Sequence, residues 1–195
     1  MTRLSGSEQA FLRGRLRIDA FGLPEDFHIE KSHDSDLVIV KRKEGHVVID
    51  GHNIIVNTGR ERVLELVGGL STKPFNRMGI GDDGVSALDI LVPIAPTIHD
   101  TDLNHRLTTE AVSSITVGQE GTPSQWYIRY IHTFTALDYL GTPTLNWKDP
   151  AKMVINEAGI FTSDNVMLAR KTFASIPFDP TTNVAIQFTW DIFMN

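Results

Sequence analysis

Ile155-Asn156-Glu157-Ala158-Gly159-Ile160-Phe161 and Val166-Met167-Leu168-Ala169-Arg170-Lys171-Thr172-Phe173 are two apolar runs separated by Thr162-Ser163-Asp164-Asn165. Short polar side chains tolerate left-handed backbone angles and bond to their own main chain, so the segment predicts a β-hairpin. A third run, Asn183 to Phe193, predicts a further strand. No second carboxylate stands beside Glu157 in the sequence, so this glutamate reads as an edge residue bonding the backbone of a neighbouring strand or subunit, not as a general acid.

Upstream, Trp126 to Leu137 alternates Trp126, Ile128, Tyr130, His132 and Phe134 against Tyr127, Arg129, Ile131, Thr133 and Thr135. Leu107, Ala111, Ile115 and Val117 fall on alternate positions in the same way. A period of two predicts long antiparallel strands. His132 shares a side with Tyr130 and Phe134 and reads as a half-buried packing residue.

Further back, Leu37-Val38-Ile39-Val40 and His46-Val47-Val48-Ile49 flank a turn at Glu44-Gly45. Asp50-Gly51 then stands before His52-Asn53-Ile54-Ile55-Val56 and predicts a second, type I′ hairpin. A helix follows: Thr58 and Glu61 have capping-box spacing, Val63, Leu64 and Val67 form a stripe, and Gly68-Gly69 stops it. Val85 to Asn104, carrying Pro93 and Pro96, reads as an irregular loop. The count reaches eight or nine strands and one short helix, which predicts a mainly β chain: an antiparallel β-sandwich or barrel. Residues 1–35, where Arg3, Arg13, Arg15 and Arg17 interleave with apolar residues before Gly22-Leu23-Pro24, read as an N-terminal arm, and residues 36–195 as the β-sandwich domain.

A chain of 195 residues with 41% hydrophobic content can bury one core. The net charge of −6 argues against nucleic acid or an anionic membrane as partner. Absence of cysteine excludes disulfides and thiolate metal sites. The first residues lack the blocks of a signal peptide, and no apolar run approaches the roughly 20 residues of a membrane span, so synthesis in the cytoplasm is the expectation.

Gly79-Ile80-Gly81-Asp82-Asp83-Gly84 has dinucleotide-turn spacing, but two aspartates inside the cradle repel a pyrophosphate. It reads as a glycine-permitted passage from strand to loop, with no cofactor. Asp82, Asp83 and Asp89, or Asp100 and Asp102 with His99 and His105, are hard-ligand clusters without the calcium-loop pattern, and the two histidines are wrongly spaced for zinc. No metal ligand is assigned. No serine lies in an activating turn, so no catalytic residue is assigned either. The subunit-interface candidates are Arg13, Arg15 and Arg17, the basic run Lys41-Arg42-Lys43, Glu157 and Arg170.

The final pattern, Ile155 to Phe161, Leu168 to Phe173 and Trp190 to Ile192, resembles the C-terminal half of a family of small structural proteins of tailed bacteriophages. Val56-Asn57-Thr58-Gly59, Met78 to Gly84 and Thr101 to Arg106 resemble that family's earlier parts, so the likeness runs from about Asn53 onward. The resemblance implies a non-enzymatic virion protein, made in the host cytoplasm, whose partners are copies of itself and other virion proteins under cyclic symmetry. A tail-associated fibre-attachment, adaptor, baseplate or collar role is the first expectation and capsid decoration the second. Trp126, Tyr127, Tyr130 and Trp147 prompt a third, a carbohydrate-binding β-sandwich.

Overall fold

A computed structural model describes residues 12–24, 38–43, 46–87, 89–121, 124–140 and 145–194, with backbone alone for 38–48 and 89–91. The strands are β1 (Leu12–Phe21), β2 (Val38–Lys43), β3 (His46–Ile55), β4 (Phe75–Gly81), β5 (Val85–Ser86), β6 (Asp89–Pro93), β7 (Arg106–Ala111), β8 (Ser114–Glu120), β9 (Gln125–Thr135), β10 (Val154–Thr162), β11 (Met167–Pro177) and β12 (Ala185–Met194). One α-helix, α1 (Asn57–Val67), and a 3-10 turn at Ala136–Tyr139 complete the described elements. The protein is mainly β.

Nine strands run antiparallel in the order β7-β4-β10-β11-β3-β1-β12-β9-β8, with β2 added to β3. This sheet curls into a half-barrel. The chain itself joins the two ends of the sheet, because β7 and β8 are separated only by Val112 and Ser113. Val112 N–H donates to Asn76 O at one end of the sheet, and Ser113 N–H donates to Ile131 O at the other. Phe134, Phe173, Phe188 and Trp190 fill the interior. Burying each such side chain contributes about 1.5–3 kcal/mol.

The expected hairpin forms as β10 and β11, with Glu157 opposite Thr172 and Gly159 opposite Arg170. Its turn behaves as its composition predicts: Asn165 has φ 65°, and Thr162 Oγ1 accepts from Val166 N–H at 2.9 Å. β10 lies between β4 and β11, and every residue from Ile155 to Thr162 is buried. Its inner side faces the main core, while Phe161 joins Val56, Leu103 and Met167 in a smaller cluster. Two covered faces explain why these strands read as continuous apolar runs.

Three expectations change. Leu12–Phe21, read as part of an arm, is an interior strand between β3 and β12. Leu12, Gly14, Leu16, Ile18 and Ala20 turn inward while Arg13, Arg15, Arg17 and Phe21 turn outward, so the interleaved arginines are the outer face of a half-buried strand. The arm at residues 1–11 and 25–35 lies outside the described residues. Asp50-Gly51 is not a turn either, because β3 runs straight through it with Asp50 opposite Arg17 and Gly51 opposite Leu16. Neighbours on both edges outweigh a local turn preference. Finally, the loop expected after Val85 begins with the small β5–β6 hairpin, and the described residues form twelve strands where eight or nine were counted.

α1 forms where expected, but without the capping box: Val56 is the N-cap with no side-chain bond, and Thr58 Oγ1 donates to Met167 O. Gly59 meets β11 directly, since a Cβ there would lie 2.4 Å from Leu168 Cα. Val63 packs on the core, whereas Leu64 and Val67 of the expected stripe are exposed.

Candidate functional site

The outward residues of β1, β9 and β12 build a charged face. Arg15 grips Asp50 with two bonds of 3.0 and 2.6 Å, and Arg17 grips Asp19 at 2.7 and 2.8 Å. Arg129 grips Asp191 at 2.7 and 2.8 Å. Paired planar forks of this kind are strong and geometrically fixed. Hydrogen bonding to the partner carboxylate raises the guanidinium pKa of all three arginines. Arg13 donates to Gln125 and lies 5.0 Å over Phe193, whose ring is 5.9 Å from Tyr127. Arg15, Arg17, Asp19, Arg129, Thr189 and Asp191 line a groove of about 550 Å³ on this face. The arginines named as subunit-interface candidates, Arg13, Arg15 and Arg17, thus hold internal partners, though Arg15 and Arg17 stay about half exposed. Lys41, Arg42 and Lys43 lie on β2 opposite Val48, Val47 and His46, next to the expected turn. Their side chains are outside the described residues.

Glu157 and Arg170 turn inward. Glu157 is 0% exposed and accepts from Asn104 N–H at 3.0 Å, His105 N–H at 2.9 Å and Arg170 Nη2 at 2.7 Å. Arg170 Nη1 reaches Asp100 at 2.6 Å. The expectation that Glu157 bonds backbone holds, but β10 is an interior strand and the bonded backbone belongs to the loop before β7. As exposed subunit contacts, Glu157 and Arg170 are therefore corrected: burial leaves neither side chain a surface to offer. Burial pushes the Asp100 carboxyl up, and bonds from Thr97 and Arg170 more than reverse this, leaving its pKa below the ordinary value.

Among the hard-ligand candidates, Asp82, Asp83, Asp102 and His105 are engaged as well, while the side chain of Asp89 lies outside the described residues. Asp82 bonds His105 Nδ1 at 2.5 Å and accepts from Lys148 N–H at 2.7 Å. Asp83 pairs with Lys148 Nζ at 2.5 Å. Asp102 caps Leu103 N–H at 2.8 Å and pairs with Arg106 at 3.2 Å. Among the described residues no three His, Asp or Glu side chains converge as a metal site would require. β4 ends at Gly81, where a Cβ would lie 2.5 Å from His105 O, so the glycine run serves close packing of the loop.

A polar cluster sits where the sheet's ends meet. Ser113 Oγ lies 3.0 Å from His132 Nδ1, His132 Nε2 lies 3.1 Å from Glu110 Oε2, and Tyr139 OH donates to Glu110 Oε1. His132 is buried and stacks edge-on against Phe134 at 4.5 Å, so it packs as expected and also bridges β7 to β9. Serine, imidazole and carboxylate stand in the order of a nucleophile, its base and an orienting acid. An acyl-transfer site also needs free N–H donors for the oxyanion. Here the Val112 and Ser113 N–H groups are committed to Asn76 and Ile131. These bonds tie β7, β9 and the β7–β8 corner together across the seam. Sequence reading missed the cluster because Glu110, Ser113 and Tyr139 belong to different strands and turns, and carry no local spacing signal.

No family model, curated protein or solved structure matches this chain. No helix among the described residues is long and apolar enough to cross a membrane.

At the end of the sheet, β8 pairs with β9 from Ser114–Ile131 to Glu120–Gln125 without a register shift. Its other edge has no partner strand among the described residues. Ile115 and Val117 are 46% and 66% exposed, and Trp126 on β9 is 51% exposed. Alternation puts all three on the side of the sheet that elsewhere faces the core.

Proposed function

We propose that the protein is a non-enzymatic structural component of a tailed-bacteriophage virion, a tail-associated fibre-attachment or adaptor module that assembles with copies of itself and with other virion proteins. The supporting observation is the use the fold makes of the residues that carry the resemblance. Ile155 to Phe161 and Leu168 to Phe173 lie on adjacent strands and Trp190 to Ile192 on a third wall of the same core, while Glu157 is paired with Arg170 and Asp191 with Arg129 inside the chain. A pattern whose ionisable groups are internal braces specifies a scaffold, and a scaffold acts through its surfaces. The net charge of −6 adds that nucleic acid is a poor partner.

Mass spectrometry of purified particles together with the native mass of the isolated protein tests this reading. The expected result is a multimer that is present in virions. A strictly monomeric chain absent from particles would overturn it. Copy number separates an adaptor, which matches the rotational symmetry of a tail, from capsid decoration, which matches the number of capsomers.

A carbohydrate-binding role is the second reading, and exposed Trp126 favours it, since an open indole face can stack on a sugar. Tyr130 and Trp147 pack with the core instead, so three of the four aromatic positions do not present a free platform: Tyr127 is itself covered by Arg129 at 4.9 Å. A glycan array without binding removes this option.

A further inference from the structure

We infer that the open edge of β8 is a self-association surface, on which β8 of a second copy adds antiparallel across a two-fold axis near Val117. This rests on the self-assembly proposed above only for the identity of the partner.

An unpaired edge strand exposes a row of N–H and C=O groups, and folded proteins usually blunt it with proline, lysine, a bulge or a covering loop. β8, Ser114-Ile115-Thr116-Val117-Gly118-Gln119-Glu120, contains no proline or lysine, and its ladder to β9 has no bulge. The opposite end of the sheet is treated differently. β7 begins with Arg106, its ladder to β4 has a register shift at Gly81, and Arg77 Nη2 takes the Thr109 carbonyl at 2.5 Å. One edge is guarded, and the other has no partner strand among the described residues.

The open edge also carries apolar side chains where solvent would otherwise sit. Ile115, Val117 and Trp126 share the inner side, each at least 46% exposed. A two-fold axis perpendicular to the sheet keeps equivalent faces together, so the inner faces of both copies become continuous. Pairing about Val117 sets Val117 opposite Val117 of the second copy, Ile115 opposite Gln119, Thr116 opposite Gly118 and Ser114 opposite Glu120. The strand's single charge, Glu120, then meets a hydroxyl and never its own copy, so charge permits this register. A different protein docking here would not require a strand compatible with itself, which is why a second copy is the occupant chosen.

The native mass of the full chain, with Val117→Lys, Val117→Glu and an equimolar mixture of the two, tests the interface. Val117 is exposed, so both variants are expected to keep the wild-type circular dichroism spectrum. Each alone is expected to lose the β8-mediated association by at least tenfold in dissociation constant, because it sets like charges opposite each other. The mixture is expected to restore it as a one-to-one pair, since only a two-fold contact at residue 117 brings lysine to glutamate. A wild-type oligomer unchanged by either substitution would overturn the interface and leave self-assembly standing. An oligomer abolished by removing residues 1–11 but indifferent to Val117→Lys would overturn it in favour of the N-terminal segment. A monomeric wild type would sink self-assembly and this interface together.

Discussion

Arg170 Nη2 lies 2.7 Å from Glu157 Oε2 while Nη1 lies 2.6 Å from Asp100 Oδ2, so one buried guanidinium ties adjacent strands to the loop that precedes β7. Removing it leaves a fully buried carboxylate without its cation. Arg170→Met is expected to lower stability by about 3–5 kcal/mol, the range for breaking a buried ion pair by one partner. Adding Glu157→Gln should recover only part of that loss: the buried charge is gone, but Asn104 and His105 donate to different carboxylate oxygens, so the one amide oxygen keeps a single backbone bond. Urea denaturation of the three proteins checks both, and a single variant within 1 kcal/mol of wild type would contradict the assigned role.

Gly59 gives a second test, because a Cβ there would lie 2.4 Å from Leu168 Cα, a backbone atom that cannot step aside. Gly59→Ala is expected to push α1 off β11 and cost about 1–3 kcal/mol despite alanine's better helix propensity. Gly69→Ala is the contrast: nothing lies within 4 Å, but φ is +70°. Its cost should stay near 1–2 kcal/mol, the strain of a left-handed residue. Thermal unfolding of both variants ranks them.

What could be read from the chain followed the range of the forces involved. The β10–β11 hairpin was legible because its turn and both its flanking runs are contiguous, and β9 because Trp126 to Thr135 keeps strict alternation. β1 carried the same alternation from Leu12 to Phe21, yet arginines near the start of the chain suggested an arm; the acceptors of Arg13, Arg15 and Arg17, which are Gln125, Asp50 and Asp19, gave those three a sheet face to cover. Asp50-Gly51 misled in the opposite direction, since a turn preference acts locally whereas β1 and β2 hold that strand on both edges. The seam cluster of Glu110, Ser113, His132 and Tyr139 was invisible, because only the curl of the whole sheet brings those residues together.

The place of β1 makes the arm reading directly testable. A chain lacking residues 1–21 loses the neighbour of both β3 and β12, along with buried Leu12, Leu16 and Ile18. It is expected to be insoluble or to show no cooperative unfolding transition. A soluble, cooperatively folded product would mean that these residues are indeed dispensable.

Alkaline pH should weaken the fold through Tyr130. Burial pushes its phenol up from 10.0 to about 12. Below pH 10 the group is neutral in both folded and unfolded chains, so its contribution is fully present. As pH rises from about 10 to 12, unfolded chains release the proton while folded ones hold it, and stability falls. Tyr130→Phe should flatten that part of the decline in urea midpoints measured across pH 9 to 12. An unchanged slope would mean that Tyr130 does not ionise on unfolding in this window.

Glu110 decides whether the seam is a latch or a reactive site. Its carboxylate accepts from Tyr139 OH and faces His132 Nε2 at 3.1 Å, and both partners are buried. With Nε2–H donating to Glu110, Nδ1 is left to accept from Ser113 at 3.0 Å. Glu110→Ala strands two buried donors and is expected to cost about 1–3 kcal/mol for each one that water cannot reach. Ser113→Ala removes a hydroxyl at an exposed position and should cost less than about 1 kcal/mol. A latch predicts that order in stability and no labelling of wild type by a fluorophosphonate, because the Val112 and Ser113 N–H groups are already bonded to Asn76 and Ile131. Labelling that disappears in Ser113→Ala would mean instead that the seam opens, frees those donors and makes Ser113 a nucleophile.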